Sequence, residues 1–107
     1  MTNKTPFFSI IIPLYNEASR LKNLSRVYRY FNKFKKYYEV ILVNDGSIDG
    51  TDKKLRTLNK KFKFQLISYT TNKGKGFAIK SGMFAAKGKY RLFTDMDLST
   101  PIEEFEK

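Results

Sequence analysis

Four short apolar runs, separated by three amphipathic stretches, constrain this chain more than any other feature. The runs occupy residues 7–12, 40–44, 64–69 and 90–94 and are rich in β-branched and aromatic side chains. None alternates strictly between apolar and polar. Strands buried on both faces, as in a parallel sheet, have that pattern.

The stretches between them carry helical periodicity. Leu21, Leu24, Val27, Tyr28, Phe31 and Phe34 recur at three- and four-residue spacing and mark one helix face. Leu55, Leu58 and Phe62 mark a second, opened by a cap at Asp49 or Thr51. Ile79, Met83 and Ala86 mark a third, where Gly76 and Gly82 are expected to allow close approach to a sheet. The order β-α-β-α-β-α-β predicts an α/β fold, an open and mainly parallel sheet flanked by helices with right-handed crossovers. A length of 107 residues suits one domain, and ten Phe and seven Tyr suffice for a core. Residues 101–107 read as the first turn of another helix, so the chain is expected to be the N-terminal part of a longer protein.

Composition removes several chemistries. Without Cys there is no disulfide scaffold, zinc finger or thiol nucleophile. Without His there is no Ser-His-Asp triad. A metal here must be held by oxygen, which points to Mg²⁺, Mn²⁺ or Ca²⁺. The longest apolar run falls far short of the ~20 residues of a membrane-spanning helix. The net charge of +11 suits attraction to an anionic membrane surface, and a lysine-rich composition bias explains it equally well. No recognition-helix or RNA-binding signature accompanies it, so nucleic acid is not expected as a partner.

The acids are few and their placement is informative. Glu17 follows the first run, Asp45, Asp49 and Asp52 the second, and Asp95 and Asp97 the fourth. Six of the ten carboxylates therefore lie just past the carboxyl ends of strands, where open α/β sheets bind ligands. Asp49 and Asp52 read as helix-capping residues. Asp95 and Asp97 flank Met96 and repel one another unless a hard cation neutralises them, and Ser99 or Thr100 can do the capping there.

The segment Asn72-Lys73-Gly74-Lys75-Gly76 imitates a dinucleotide fingerprint, but Ile79 stands where its third glycine belongs. A turn and a tight helix start account for the glycines. Lys73 or Lys75 at the helix start could help hold an anionic group.

Four motifs then appear in order. They are Phe8-Ser9-Ile10-Ile11-Ile12-Pro13-Leu14-Tyr15-Asn16-Glu17, Val40-Ile41-Leu42-Val43-Asn44-Asp45-Gly46-Ser47, Asn72-Lys73-Gly74-Lys75-Gly76, and Phe93-Thr94-Asp95-Met96-Asp97-Leu98-Ser99-Thr100-Pro101. Together they resemble the family 2 glycosyltransferases of GT-A fold, most closely the branch that transfers hexoses to dolichyl and other polyprenyl phosphates. The resemblance covers nearly the whole chain. It implies strand order 3-2-1-4, the nucleotide-binding half of that Rossmann-like fold. Residues 1–107 would then be the nucleotide-sugar-binding part of the domain, with the acceptor-binding part later in a longer protein.

Carried over residue by residue, the resemblance implies that Pro13, Tyr15 and Glu17 line the nucleotide pocket, with Tyr15 near the base. Asp45 would accept a hydrogen bond from base or ribose, while Asn44 stands where the family commonly has an acid. Asp95 would face the ribose and the metal, Asp97 would be the principal metal ligand and catalytic residue, and Met96 and Ser99 would add contacts. The implied cofactor is Mg²⁺ or Mn²⁺. The implied reaction is inverting transfer of a hexose from a UDP- or GDP-sugar to a lipid phosphate at the cytoplasmic face of a membrane. A surface-polysaccharide hydroxyl as acceptor, or a nucleotide- or dinucleotide-binding module without catalysis, are the alternatives. Alone, the chain is expected to be inactive.

Overall fold

The computed structural model describes residues 5–34 and 37–94. Its elements are β1 (Phe8–Leu14), a 3-10 segment (Ala18–Asn23), α1 (Leu24–Asn32), β2 (Tyr38–Asp45), α2 (Thr51–Phe62), β3 (Gln65–Tyr69), α3 (Lys75–Ala85) and β4 (Tyr90–Phe93). All strand pairs are parallel, in the order β3-β2-β1-β4. The expected architecture and strand order are both found. The helical turn expected over residues 101–107 lies outside the described residues.

Strand parity divides the core into two layers. Ile10, Ile12 and Leu14 of β1 and Val40 and Leu42 of β2 face α1 and α2, where they pack with Leu24, Val27, Phe31 and Leu55. Ile11, Ile41 and Val43 face the other way and pack with Ala78 and Ala86 beside α3. Both central strands are therefore buried on both faces, which is why their sequences do not alternate. Phe31 is 1% exposed and sits edge-on to Phe8 and Tyr30. Burying one such side chain contributes about 1.5–3 kcal/mol.

β1 runs two residues past the expected run, through Pro13. A proline within a central strand normally costs a ladder hydrogen bond. Here Thr94 N–H donates to the Ile11 carbonyl, so by parity the N–H that Pro13 lacks would also face β4. The last β1–β4 pair is Ile11 with Phe93, so no bond of the described ladder is lost.

Two helix expectations need correction. The first stripe does not begin an α-helix at Leu21, because residues 18–23 form a 3-10 segment before α1 starts at Leu24. Leu21 is still buried in the same core layer. In α3 the residues pressed to the sheet are Ala78 and Gly82 rather than Ile79. A Cβ on Gly82 would collide with the Ile11 side chain, as expected of a close approach. A Cβ on Gly76 would meet nothing, so Gly76 does not mediate contact with the sheet.

Candidate functional site

The loops after β1, β2 and β3 converge at the carboxyl edge of the sheet, and hydrogen bonds tie each to the next. Beyond Leu14 the chain turns at Asn16, which has φ +52°. Asparagine tolerates this left-handed region better than most residues. Its N–H donates to Ser47 Oγ at 2.9 Å and its Oδ1 accepts from Ile48 N–H at 2.9 Å. Glu17 N–H donates to Thr51 Oγ1 and Ala18 N–H to Asp49 Oδ2, both at 3.2 Å. The loop carrying Tyr15 and Glu17 is thereby fixed to the start of α2.

Asp45 joins the second and third loops. Its parity on β2 turns it toward α3, whereas Asn44 faces the α1/α2 layer. Asp45 Oδ1 accepts from Lys73 N–H at 2.8 Å. Its Oδ2 accepts from Asn72 Nδ2 at 2.9 Å and Gly74 N–H at 3.0 Å. The Asp45 carbonyl accepts a further bond from Asn72 Nδ2 at 3.1 Å. A carboxylate has about four lone-pair sites, so one remains after these three side-chain bonds. Gly46, at φ +69°, lets the Asn72 backbone pass where a Cβ would collide with it. Burial, then the adjacent Asp45 carboxylate, pushes the Tyr69 hydroxyl above the usual tyrosine range.

These clasps frame a cavity of about 320 Å³ lined by Pro13, Leu14, Tyr15, Glu17, Asp45, Asn72, Gly74, Lys75 and Ala78. The structure thus brings together four of the expected site residues, Pro13, Tyr15, Glu17 and Asp45. Asp95, Met96, Asp97 and Ser99 lie outside the described residues. Thr94, the last described residue, is hydrogen-bonded to Ile11, two residues before Pro13. Asn72, Gly74, Lys75 and Ala78 complete the wall. The sequence carried a signal for three of them, because the glycine segment and its lysines stand out, but it did not connect that segment to Asp45. The Lys73 ammonium instead lies 5.1 Å from the centre of the Phe77 ring.

The other two described acids of the loop after β2, Asp49 and Asp52, are engaged in structure. Against a burial that would raise it, hydrogen bonds from Thr51 and Ala18 hold the Asp49 carboxyl below the usual carboxylate range. Asp49 Oδ1 accepts from Thr51 N–H at 3.1 Å, so it supports the helix start although Gly50 occupies the N-cap position. Asp52 pairs with Arg56 at 2.9 Å and accepts from Ser68 Oγ at 3.1 Å. The Arg56 hydrogen bond is the main reason its carboxyl lies below the usual range. Among the described residues no three carboxylates cluster in a way that could hold a metal ion. Asp45 already accepts three N–H donors, which suits a hydrogen-bonding role better than metal ligation.

Residues 9–107 match the model of Glycosyl transferase family 2. The chain is 35% identical over 109 residues to the dolichyl-phosphate beta-glucosyltransferase of Saccharomyces cerevisiae, covering 94% of this chain and 33% of that protein. It is 36% identical over 102 residues to the undecaprenyl-phosphate 4-deoxy-4-formamido-L-arabinose transferase of Aeromonas hydrophila, covering 92% and 31%. Among solved structures, it resembles a mannosyltransferase from Pyrobaculum calidifontis in complex with GDP-Man and Mn²⁺. The TM-score is 0.75 at 28% identity, covering 88% of this chain and 28% of that one. The chain spans about a third of the length of the relatives it matches.

Proposed function

Because the chain belongs to glycosyl transferase family 2, we propose that it is the nucleotide-sugar-binding part of an enzyme that moves a hexose from a UDP- or GDP-sugar to a polyprenyl phosphate, with inversion. The acceptor-binding part is assigned to the remainder of a longer protein. The lipid-phosphate acceptors in the names of the yeast and Aeromonas relatives support that acceptor class. The observation that carries the reading is the cavity itself. It gathers Pro13, Tyr15, Glu17 and Asp45 with Lys75 at the sheet edge where α/β folds bind nucleotides.

Each wall group has a task in this reading. The free lone pair of Asp45 accepts an N–H of the base or a ribose hydroxyl. Tyr15, 46% exposed, offers its ring to the base. Lys75 and the amino end of α3 attract the diphosphate. Asp97, with Asp95, would hold a divalent cation, a fit to a chain whose potential metal ligands are all oxygens. Mn²⁺ or Mg²⁺ bound there would neutralise charge on the departing nucleoside diphosphate. A phosphate acceptor is already anionic, so the chemistry needs no general base on the acceptor.

Calorimetric titration of the chain with UDP, GDP, UDP-glucose and NAD⁺, each with Mn²⁺ and with EDTA, tests this. One nucleoside diphosphate is expected to bind, and only with metal. Asp97→Asn is expected to abolish that binding without loss of fold. NAD⁺ binding that ignores EDTA, or an Asp97→Asn variant that binds as the parent does, would overturn the reading.

A further inference from the structure

A second cavity, of about 580 Å³, lies between the 3-10 segment and the first turns of α2. Lys22, Lys53 and Lys54 line it together with Ser19, Thr57, the buried Leu21 and the half-buried Leu58. The three lysines are exposed, and among the described residues none forms an ion pair. Among the described residues Lys54 Nζ reaches only the Ala18 carbonyl, at 3.4 Å. The carboxylates that neighbour the groove in sequence are committed elsewhere. Glu17 pairs with Arg20 at 3.0 Å, Asp52 with Arg56, and Asp49 accepts from Ala18 and Thr51. The surrounding helix layer adds exposed Arg29, Lys33, Lys60 and Lys61.

We propose that this groove and the α1/α2 surface around it dock on an anionic membrane, with lipid phosphate headgroups between Lys22, Lys53 and Lys54. Cations gathered over a short apolar floor suit the boundary between headgroup and acyl chain. Position argues the same way. Glu17 lines the nucleotide cavity and the next residue, Ala18, lines the groove, so the two adjoin along the loop that follows β1. Docking there holds the nucleotide cavity within reach of a membrane-borne acceptor. The choice of a membrane thus rests on the lipid-phosphate acceptor proposed above. Nucleic acid fits this face less well, because single-strand binding uses exposed aromatic platforms. The exposed aromatics Tyr15, Tyr37, Phe77, Phe84, Tyr90 and Phe93 all lie outside the 3-10 segment, α1 and α2.

The test is co-sedimentation of the chain with vesicles of phosphatidylcholine alone or an equimolar mixture with phosphatidylglycerol, at low and high salt. Each lysine at an anionic surface raises partitioning about fivefold. The parent is expected to bind only the mixed vesicles and to be released by salt. The triple variant Lys22→Gln/Lys53→Gln/Lys54→Gln is expected to bind at least about tenfold more weakly. Lys80→Gln/Lys87→Gln/Lys89→Gln makes the same change in net charge outside this layer and is expected to lose far less. Far-UV circular dichroism checks the fold of both. Equal losses, parent binding to neither vesicle, or tighter groove-dependent binding to single-stranded RNA would each overturn the proposal. No nucleotide enters this assay, so it can fail while the nucleotide titration succeeds, and the reverse.

Discussion

Asp45 is where loop architecture and proposed ligand binding meet in one side chain. Its two oxygens face three donors, and at 3% exposure water cannot replace them. Asp45→Asn keeps the shape but turns an NH₂ toward N–H groups. It is expected to lower stability by about 1–3 kcal/mol in urea denaturation, the cost of leaving buried polar groups unpaired. In calorimetry it is also expected to weaken nucleotide binding, since the loop leading to Lys75 loses its clasp. The sequence marked Asp45 as a site residue, yet gave no sign that its partners are Asn72, Lys73 and Gly74. Those contacts span 27–29 residues and depend on β3 lying beside β2, which a local pattern does not encode. Asn16 is a similar case. It was visible inside the first motif, but its left-handed backbone and its bonds to Ser47 and Ile48 emerge only when the two loops meet. Asn16→Gly is expected to retain the turn and lose only the Oδ1 bond, whereas Asn16→Ala loses both. Thermal unfolding should therefore rank the parent first, Gly second and Ala third, with the Gly–Ala gap near 1 kcal/mol.

At the level of elements, the two α3 glycines separate what periodicity can and cannot reveal. Three-residue and four-residue spacing found the helix, but not which of its small residues touches the sheet. Contact depends on the rotation of the helix over Ile11, a tertiary property. Gly82→Ala places a methyl group into the Ile11 side chain and is expected to cost about 1–3 kcal/mol as overpacking. Trimming Ile11 to Ala removes both γ carbons that the new methyl group meets, so the double variant should lose less than the sum of the two single losses. Gly76→Ala adds a methyl group in open space within the first turn and is expected to stabilise by up to about 1 kcal/mol through helix propensity. Equal effects at both positions in urea denaturation would show that α3 sits on the sheet differently. Strands were more legible than helices because a strand buried on both faces needs only a run of apolar side chains. Even so, β1 outran its apolar run, and Pro13 fits it because the N–H it lacks would lie beyond the last described β1–β4 pair.

Across the whole molecule, half-buried phenols make alkaline pH the informative perturbation. Tyr28, Tyr38 and Tyr69 all have hydroxyls pushed above their ordinary value of 10.0, chiefly by burial. Above about pH 10 the unfolded chain releases these protons while the folded chain keeps them, so stability falls as pH rises toward the folded values. Lysines titrate over the same range, and neutralising them relieves the self-repulsion of a chain with net charge +11. The two effects oppose each other, so the parent's pH profile alone cannot assign either. Tyr28→Phe separates them, because it leaves every lysine in place. The Tyr28 hydroxyl is buried without a hydrogen-bond partner among the described residues, although its ring stacks 5.0 Å from Phe62. Removing it is expected to stabilise the fold by about 1 kcal/mol at neutral pH, since an unpaired buried hydroxyl is a cost. The advantage should widen above pH 10, where the parent still has a proton to lose. A variant less stable than the parent at neutral pH, with a parallel alkaline slope, would mean that the Tyr28 hydroxyl is hydrogen-bonded and that burial does not hold its proton.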